Sequence, residues 1–380
     1  MFDVLLSLSI SFTITFLAIP VIINVADMKK LFDVPDARKI HQVAITPLGG
    51  IGIFAGFVFG CLLTINFKYS SEFQYFIAAT MVIFFLGLKD DILVLTPIKK
   101  FIGQVLAAFL IIYYGRIQIR SMHGFFGIHE LPEMFSLLIS YFSVIVIINS
   151  FNLIDGVDGL AGTLGLMSSA LFGIYFFMSA SGMEPYYVLA FSLCGSLIAF
   201  LIFNFQPAKI FMGDTGSLLL GLVNAILVIK FINVANLPDV KIPIHSAPAI
   251  GFAILMIPLL DTLRVFGIRI GHRRSPFSPD RNHIHHILLD RGLSHSTITI
   301  ILVAVNLLFI VGIYLLRSFD CTWLILGTFA IFFAVIGMLY YSRHRHKTLF
   351  VAKSVNNNID GLKGSSKIVS ITKDPVYEQK

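Results

Sequence analysis

The arrangement of long apolar runs constrains this fold more than any other feature of the sequence. The hydrocarbon core of a bilayer is about 30 Å thick and is crossed by about 20 residues of helix. Because backbone groups in lipid must find partners within their own segment, we predict an all-α polytopic integral membrane protein with about 11 transmembrane helices. The predicted spans are 3–24, 48–66, 72–88, 101–114, 134–150, 159–180, 185–203, 216–236, 247–267, 297–316 and 321–341.

The composition excludes several other classes of protein. Hydrophobic residues make up 57% of the chain and charged residues only 13%, whereas globular proteins carry about 25% charged residues. A soluble enzyme, a disordered regulator and a nucleic-acid binder are therefore excluded, despite the net charge of +7. Three cysteines are too few for a disulfide framework.

The positions of the basic residues predict the orientation of the chain. Lys29 and Lys30 follow the first apolar run and no basic residue precedes it, which indicates a membrane anchor with its N-terminus outside rather than a cleaved signal. With alternating loops, the predicted cytoplasmic segments hold 21 Lys and Arg residues and the outer segments hold 5. We expect one transmembrane domain, 1–341, with a small periplasmic hairpin near 115–131, and a polar, flexible cytoplasmic tail, 342–380.

Acidic residues gather at the predicted inner ends of the helices, where their desolvation is costly enough to suggest a function. Asp90 and Asp91 are adjacent just after the third run, and Lys100 lies one to three turns further on, immediately before the fourth run. A paired carboxylate can hold a hard cation such as Mg²⁺. A solvated loop end with ordinary cytoplasmic lysines explains the pair equally well.

Two further stretches bring oxygen ligands to the same side. Asn152, Asp155 and Asp158 lie in a glycine-rich turn that leaves clearance for a metal or a nucleotide hydroxyl. Asp214 stands at a predicted helix start, where simple capping is the alternative explanation. Phe211 could stack on a base, although a core or lipid contact explains an aromatic residue here as well.

The long inner loop between 268 and 296 carries the remaining polar cluster. Arg281, His283, His285 and His286 lie together in it, and arginine forms forked hydrogen bonds with phosphate. We favour contacts with phosphate or sugar. A zinc site and a purely structural loop stay open, although the nearby carboxylates favour a hard cation over zinc.

Five motifs in one order resemble a known family, the polyprenyl-phosphate N-acetylhexosamine-1-phosphate transferases. The likeness is closer to its WecA branch than to its MraY branch, because of the His-Ile-His-His form of the last motif. The motifs are PDARKIHQVAITPLGG (35–50), Lys89-Asp90-Asp91, NLIDGVDGLAG (152–162), FMGDTGSLLLG (211–221) and DRNHIHHILLDRG (280–292).

The resemblance implies a Mg²⁺-dependent phosphotransferase, with Mn²⁺ as a substitute, in the bacterial inner membrane with its active site facing the cytoplasm. It would move GlcNAc 1-phosphate from a UDP-N-acetylhexosamine to undecaprenyl phosphate, release UMP and so initiate a cell-surface polysaccharide such as lipopolysaccharide. UDP-GalNAc, a UDP-6-deoxy-N-acetyl sugar and UDP-MurNAc-pentapeptide stay open as donors, and a homodimer stays open as the assembly.

The same resemblance implies roles for individual residues. Asp90, Asp91 and Asp214 correspond to catalytic positions, and Asp214, Asn152 and Asp155 to metal-binding positions. The implied substrate-binding residues are Asp158, Lys100, Phe211, Arg281, His283, His285 and His286.

Two unrelated functions remain as alternatives from the residues alone. An ion-coupled transporter also carries intramembrane acidic residues and broken helices, but it needs them near the middle of the bilayer. An intramembrane aspartyl protease built on Asp155 and Asp214 would need two isolated carboxylates and no metal.

Overall fold

The computed structural model describes residues 1–31, 45–68, 70–179, 182–273 and 282–343, and for residues 342 and 343 it describes the backbone only. The described chain is predominantly helical. Its helices are α1 (Phe2–Lys29), α2 (Gly49–Thr64), α3 (Glu72–Leu93), α4 (Pro97–Phe109), α5 (Glu133–Ile154), α6 (Leu160–Ser179), α7 (Glu184–Asn204), α8 (Gly213–Val234), α9 (Ala247–Ile254), α10 (Met256–Gly271), α11 (Ile284–Leu289), α12 (His295–Leu315) and α13 (Cys321–Arg343). A π-helical turn, Leu110–Tyr114, continues α4.

The chain divides into two compact units, Met1–Thr328 and Phe329–Lys380. All the motifs named above belong to the first unit. Within the second, the structure describes only the last part of α13, so the predicted tail 342–380 lies almost wholly outside the described residues.

Eight helices of the described chain are long and apolar enough to cross a membrane, and a ninth crossing results if the bent pair α9 and α10 is one span. An all-α polytopic membrane protein is therefore confirmed. The predicted ninth run, 247–267, was wrong as a continuous helix, because an 80° bend divides it. Pro258 lies four residues after the end of α9, where its ring opposes continuation of the helix.

A single residue of α12 compensates for this bend. The side-chain oxygen of Asn306 accepts a hydrogen bond from the backbone N–H of Ile257 at 3.1 Å. Its amide nitrogen donates to the carbonyl oxygens of Ala253 at 3.3 Å and Ile254 at 3.2 Å. Asn306 is fully buried, so it supplies hydrogen bonds to backbone groups at a bend that is buried in the bundle.

Helix α8 forms the centre of the bundle. Nearly all its residues from Thr215 to Val234 are buried, as expected for a helix that is apolar on every side. It contacts α2, α3, α5, α6, α7 and α9. Its first turn therefore lies where the ends of several helices meet.

Small residues let the helices around α8 approach closely. A Cβ atom added at Gly56 of α2 would lie 2.1 Å from the hydroxyl of Thr15, and one at Gly60 would lie 2.0 Å from the hydroxyl of Ser11. Both partners belong to α1, so the glycines of α2 form a helix-packing surface.

The predicted hairpin in 115–131 is present. Strands β1 (Ser121–Phe125) and β2 (Ile128–Glu130) pair in antiparallel register, with Ser121 opposite Glu130. Phe126 and Gly127 both have positive φ, which is the geometry of a tight two-residue hairpin turn. Residues 117–120, whose Ile-Gln-Ile-Arg alternation is typical of a strand, lie before β1 and not within it.

Candidate active site

Asp91, at the end of α3, holds the start of α8. Its carboxylate accepts hydrogen bonds from the backbone N–H of Asp214 at 2.7 Å and of Thr215 at 3.0 Å, and from the Thr215 hydroxyl at 2.5 Å. These N–H groups belong to the first turn of a helix and have no partner within it. Asp91 thus caps a helix 123 residues further along the chain, and its negative charge suits the helix dipole.

Backbone contacts fix the same turn from its other side. Gly213 has φ of +69°, and a Cβ atom there would lie 2.0 Å from the carbonyl oxygen of Pro47. The segment after Ile45 runs alongside the residues that precede α8. The Phe211 N–H donates to the carbonyl oxygen of Thr46 at 2.9 Å, and the Gly49 N–H donates to the carbonyl oxygen of Phe211 at 2.9 Å. The end of motif 35–50 therefore supports the start of α8, while residues 35–44 lie outside the described chain.

Lys100 of α4 joins two acidic residues from different helices. Its ammonium group makes short contacts with the carboxylates of Asp90 and Asp214. Asn152, near the end of α5, donates its amide to Asp214 at 2.9 Å and to the hydroxyl of Ser217 at 3.0 Å. Lys100 and Asp214 remain partly exposed, so this network forms the wall of a site that a ligand can reach.

Asp155 adds a further carboxylate where α5 ends. Among the described residues its carboxylate has no hydrogen-bond or ion-pair partner. Burial, followed by the charges of Asp214, Asp91 and Asp158, raises the pKa of Asp155 to about 8. Negative charge is therefore concentrated here beyond what Lys100 balances.

Asp261 holds the start of α11, which carries the histidines of motif 280–292, in position. It accepts hydrogen bonds from the backbone N–H of Ile284 at 2.9 Å and from the Arg264 guanidinium at 2.8 Å, and the His283 Nδ1 atom lies 2.8 Å from it. Arg264 also donates to the carbonyl oxygen of Asn282. A buried aspartate–arginine pair on α10 thereby fixes the position of α11.

The histidines of motif 280–292 pack against the turn that carries Asp155. The His285 ring lies so close to Gly156 that a Cβ atom there would be 2.4 Å from its Nε2 atom. Burial lowers the pKa of His285 to about 3, so this imidazole is neutral at physiological pH. The rings of His283 and His285 stack with centroids 5.6 Å apart, and that of His286 lies 4.5 Å from His285.

Asp158 faces a different helix. Its carboxylate is 3.1 Å from the His295 Nδ1 atom, its carbonyl oxygen accepts a hydrogen bond from Thr299, and only 4% of the residue is exposed. These contacts tie the glycine-rich turn to α12.

The structure thus brings Asp90, Asp91, Lys100, Asn152 and Asp214 into one connected network, with Asp155 beside it. The histidines adjoin this network through Gly156. Phe211 lies next to it in the chain, with its backbone bonded to 46–49, and Arg281 lies outside the described residues.

Sequence reasoning assigned no role to Asp261 and Arg264. A signal for them exists, because two opposite charges three residues apart in an apolar helix are costly unless they are paired. The structure also adds Thr215 and Ser217. The Thr215 hydroxyl donates a hydrogen bond to Asp91, and the Ser217 hydroxyl accepts one from the Asn152 amide.

The oxygen atoms of this network suit a hard divalent cation as ligands. The described residues contain no group of three or more His, Cys, Asp or Glu arranged as a complete metal cage. Mg²⁺ does not need one, since it usually binds one or two carboxylates together with water and substrate phosphates. Asp155 and Asp214 supply two carboxylates, and Asn152 keeps its side-chain oxygen for a further contact.

Comparison with known proteins gives a consistent result. The model of the family described as glycosyl transferase family 4 matches residues 73–232. The undecaprenyl-phosphate alpha-N-acetylglucosaminyl 1-phosphate transferase of Yersinia pestis is 31% identical over 315 residues, 81% of this chain and 83% of that protein. A probable undecaprenyl-phosphate N-acetylglucosaminyl 1-phosphate transferase of Bacillus subtilis is 31% identical over 346 residues, 89% and 91% of the two chains. The decaprenyl-phosphate N-acetylglucosaminephosphotransferase of Mycobacterium tuberculosis is 32% identical over 289 residues, 70% and 71% of the two chains.

Proposed function

Because the chain belongs to glycosyl transferase family 4, we propose that it transfers N-acetylglucosamine 1-phosphate from UDP-GlcNAc to undecaprenyl phosphate and releases UMP. The names of the relatives from Yersinia pestis and Bacillus subtilis support this acceptor and this transferred group. One structural observation carries the proposal. Carboxylates from α3 and α8 contact one lysine, and the Asp155 carboxylate at the end of α5 lies close to Asp214, all at a single end of the bundle.

This convergence addresses the main physical obstacle to the reaction. A phosphate acceptor and a diphosphate donor repel each other, and the repulsion grows in the low dielectric of a membrane interface. Lys100 is held between Asp90 and Asp214, so its charge is in place before either substrate arrives. In our proposal it neutralises part of the phosphate charge as the two substrates meet.

The carboxylates then divide into two roles. Asp91 positions the first turn of α8, because both of its oxygens accept from backbone N–H groups of that turn, whereas the oxygens of Asp214 contact the side chains of Lys100 and Asn152. Asp155 and Asp214, with the Asn152 oxygen, would hold Mg²⁺. When bound, the cation supplies charge neutralisation and alignment of the diphosphate oxygens.

We propose direct attack of the lipid phosphate on the sugar-bearing phosphorus. Asp90 fits the task of aligning that acceptor through Lys100, which its carboxylate contacts. An enzyme-bound phosphate intermediate is unnecessary, because the lipid phosphate is itself a nucleophile. The loop of His283, His285 and His286 would contact the sugar or diphosphate through hydrogen bonds, with His285 as a neutral partner.

The site also bears on the transporter alternative. Its acidic groups stand at the ends of α3 and α5 and at the start of α8. A transporter would need them near the middle of the bilayer, so their position favours the transferase. We propose that the site faces the cytoplasmic side of the inner membrane.

In the direct test, membranes that contain the chain are incubated with undecaprenyl phosphate, Mg²⁺ and UDP-GlcNAc labelled in the sugar. We expect butanol-extractable label together with UMP, and loss of both after EDTA treatment. A parallel reaction with UDP-GalNAc tests the choice of sugar. Asp214→Asn should abolish transfer, whereas Asp239→Asn, an exposed aspartate in the loop after α8, should retain it. Full activity of Asp214→Asn, or no lipid-linked label from any UDP-sugar, would contradict the proposal.

A further inference from the structure

A second polar site lies at the opposite end of the helices that build the candidate active site. A cavity of about 1210 Å³ is lined by Glu72 at the start of α3 and by Lys230 and Asn233 near the end of α8. Lys230 follows Asp214 by sixteen residues of continuous helix, a separation of about 24 Å at 1.5 Å per residue. The cavity is therefore separate from the network around Asp214.

Basic residues are concentrated in this cavity. Arg116, Arg120 and Lys230 all line it, although the predicted outer segments hold only 5 Lys and Arg residues. Arg116 and Arg120 form no ion pair with any described residue. Arg120 also lies near enough to Lys230 for the two positive charges to repel each other.

Carboxylates balance only part of this charge. Glu72 lies beside Tyr186 and Lys230, and the Lys230 ammonium also stands 4.3 Å above the centre of the Tyr186 ring. Glu130 lines the cavity near its hairpin side. The three cations and two carboxylates that line the cavity leave a formal excess of one positive charge. The two arginines carry forked N–H groups that match phosphate geometry.

The arginines are held in place by the fold. Arg116 has φ of +55°, a strained value for a residue other than glycine. Asn233 of α8 accepts a hydrogen bond from the backbone N–H of Arg120 at 3.4 Å and donates to the carbonyl oxygen of Gln118 at 2.6 Å. The segment between the π-helical turn and β1 is thus fastened to α8, which fixes the backbone from which both arginine side chains extend.

The rim of the cavity suits a lipid. Tyr113 and Tyr114, on the π-helical turn, line it and are 63% and 45% exposed, and tyrosine is enriched where membrane meets water. Ile102, Leu106 and Phe109 continue from Tyr113 at helical spacing along the exposed side of α4. An acyl chain could lie along this surface with its headgroup in the cavity.

We propose that this cavity binds the phosphate group of an anion at the face opposite to the candidate active site, with an anionic lipid headgroup as the favoured source. The proposal does not depend on the proposed function, since binding is measured without turnover.

The test is calorimetric titration of the purified full-length chain in neutral detergent. One probe is dihexanoyl phosphatidic acid and the other is inorganic phosphate. The test variant is Arg116→Gln/Arg120→Gln, which changes exposed side chains, and Lys230→Met is a second, independent variant. The matched control is Lys68→Gln/Lys241→Gln, which removes two other outer cations that do not line the cavity. Gel filtration and the melting temperature verify the fold of each variant.

We expect one phosphatidic acid site that the arginine variant weakens by about tenfold or more, because two charge-assisted contacts are removed, and that the control leaves intact. If inorganic phosphate binds as tightly, with the same dependence on the arginines, the site is confirmed and its ligand is free phosphate. If the arginine variant binds both probes as the control does, the proposal is wrong. Where Lys230→Met alone misfolds, the arginine variant decides the outcome.

Discussion

Asp91 provides a test of whether this carboxylate positions α8 or acts on substrate. In Asp91→Asn one of its two oxygens becomes an N–H₂ group, so at least one of its three donors on Asp214 and Thr215 loses its acceptor. Each hydrogen bond to a charged group contributes about 1.5–3 kcal/mol. Since about 1.4 kcal/mol corresponds to a factor of ten in rate, we expect kcat/KM to fall by roughly 10- to 150-fold.

The size of that loss alone does not separate the two roles, but its coupling to Thr215 does. Thr215→Val removes the hydroxyl that donates to Asp91 and keeps the shape of a side chain that is fully buried. If Asp91 acts through α8, the double variant should be less impaired than the sum of the single effects. The expected coupling is about 1.5–3 kcal/mol, the contribution of the shared contact.

The assay measures kcat/KM of the purified chain for UDP-GlcNAc at saturating undecaprenyl phosphate, for the wild type, both single variants and the double variant. Thr80→Val is the matched control, because the Thr80 hydroxyl bonds within α3 to Phe76 at 2.7 Å, about three turns from Asp91. Its effect should add to that of Asp91→Asn. Additive effects of Asp91→Asn and Thr215→Val would refute the positioning role and return Asp91 to direct chemistry.

Three further predictions concern the same end of the bundle. Asp214→Asn should lose at least about 100-fold in kcat while gel filtration and melting temperature stay near wild type; an active variant that still needs Mg²⁺ would oppose the assignment. Gly213→Ala should lower the melting temperature, since a positive φ costs about 1–2 kcal/mol for alanine and the Cβ would lie 2.0 Å from the Pro47 carbonyl oxygen; a melting curve like that of wild type would contradict this packing. The raised pKa of Asp155, about 8, means that a proton competes with Mg²⁺ below that pH. The Mg²⁺ concentration for half-maximal activity should therefore rise between pH 8 and pH 6, whereas Asp155→Asn should need more Mg²⁺ at every pH and lose this trend; a wild-type value that does not change with pH would disprove the competition.

Most of the helical architecture could be predicted because each span carries its own signal. An apolar run long enough to cross the bilayer has few other structures open to it, so every predicted run except 247–267 coincides with a helix. The bend between α9 and α10 could not be predicted from hydropathy, because residues 247–260 are apolar on both sides of it. Only Pro258, a local backbone effect, marked the interruption, and the partner that stabilises it lies about 50 residues later in α12.

The candidate site shows the same division between local and distant information. Asp90, Asp91, Asn152, Asp155 and Asp214 could be identified because carboxylates and amides in so apolar a chain need a reason to be there. Their individual contacts could not be predicted, since they join helices far apart in sequence. Asp91 and Asp214 both look like metal ligands in the sequence, yet the oxygens of Asp91 are engaged by backbone donors.

The Asn306 side chain also sets an order of assembly. Until α12 stands beside the bend, the carbonyl groups of Ala253 and Ile254 and the N–H group of Ile257 face hydrocarbon or water without this partner. Residue 306 is synthesised about fifty residues after the bend, so the nascent segment must wait for it. A ribosome-bound chain that ends before α12 should therefore keep 247–271 accessible at the translocon, and release it into lipid only once that later helix has emerged.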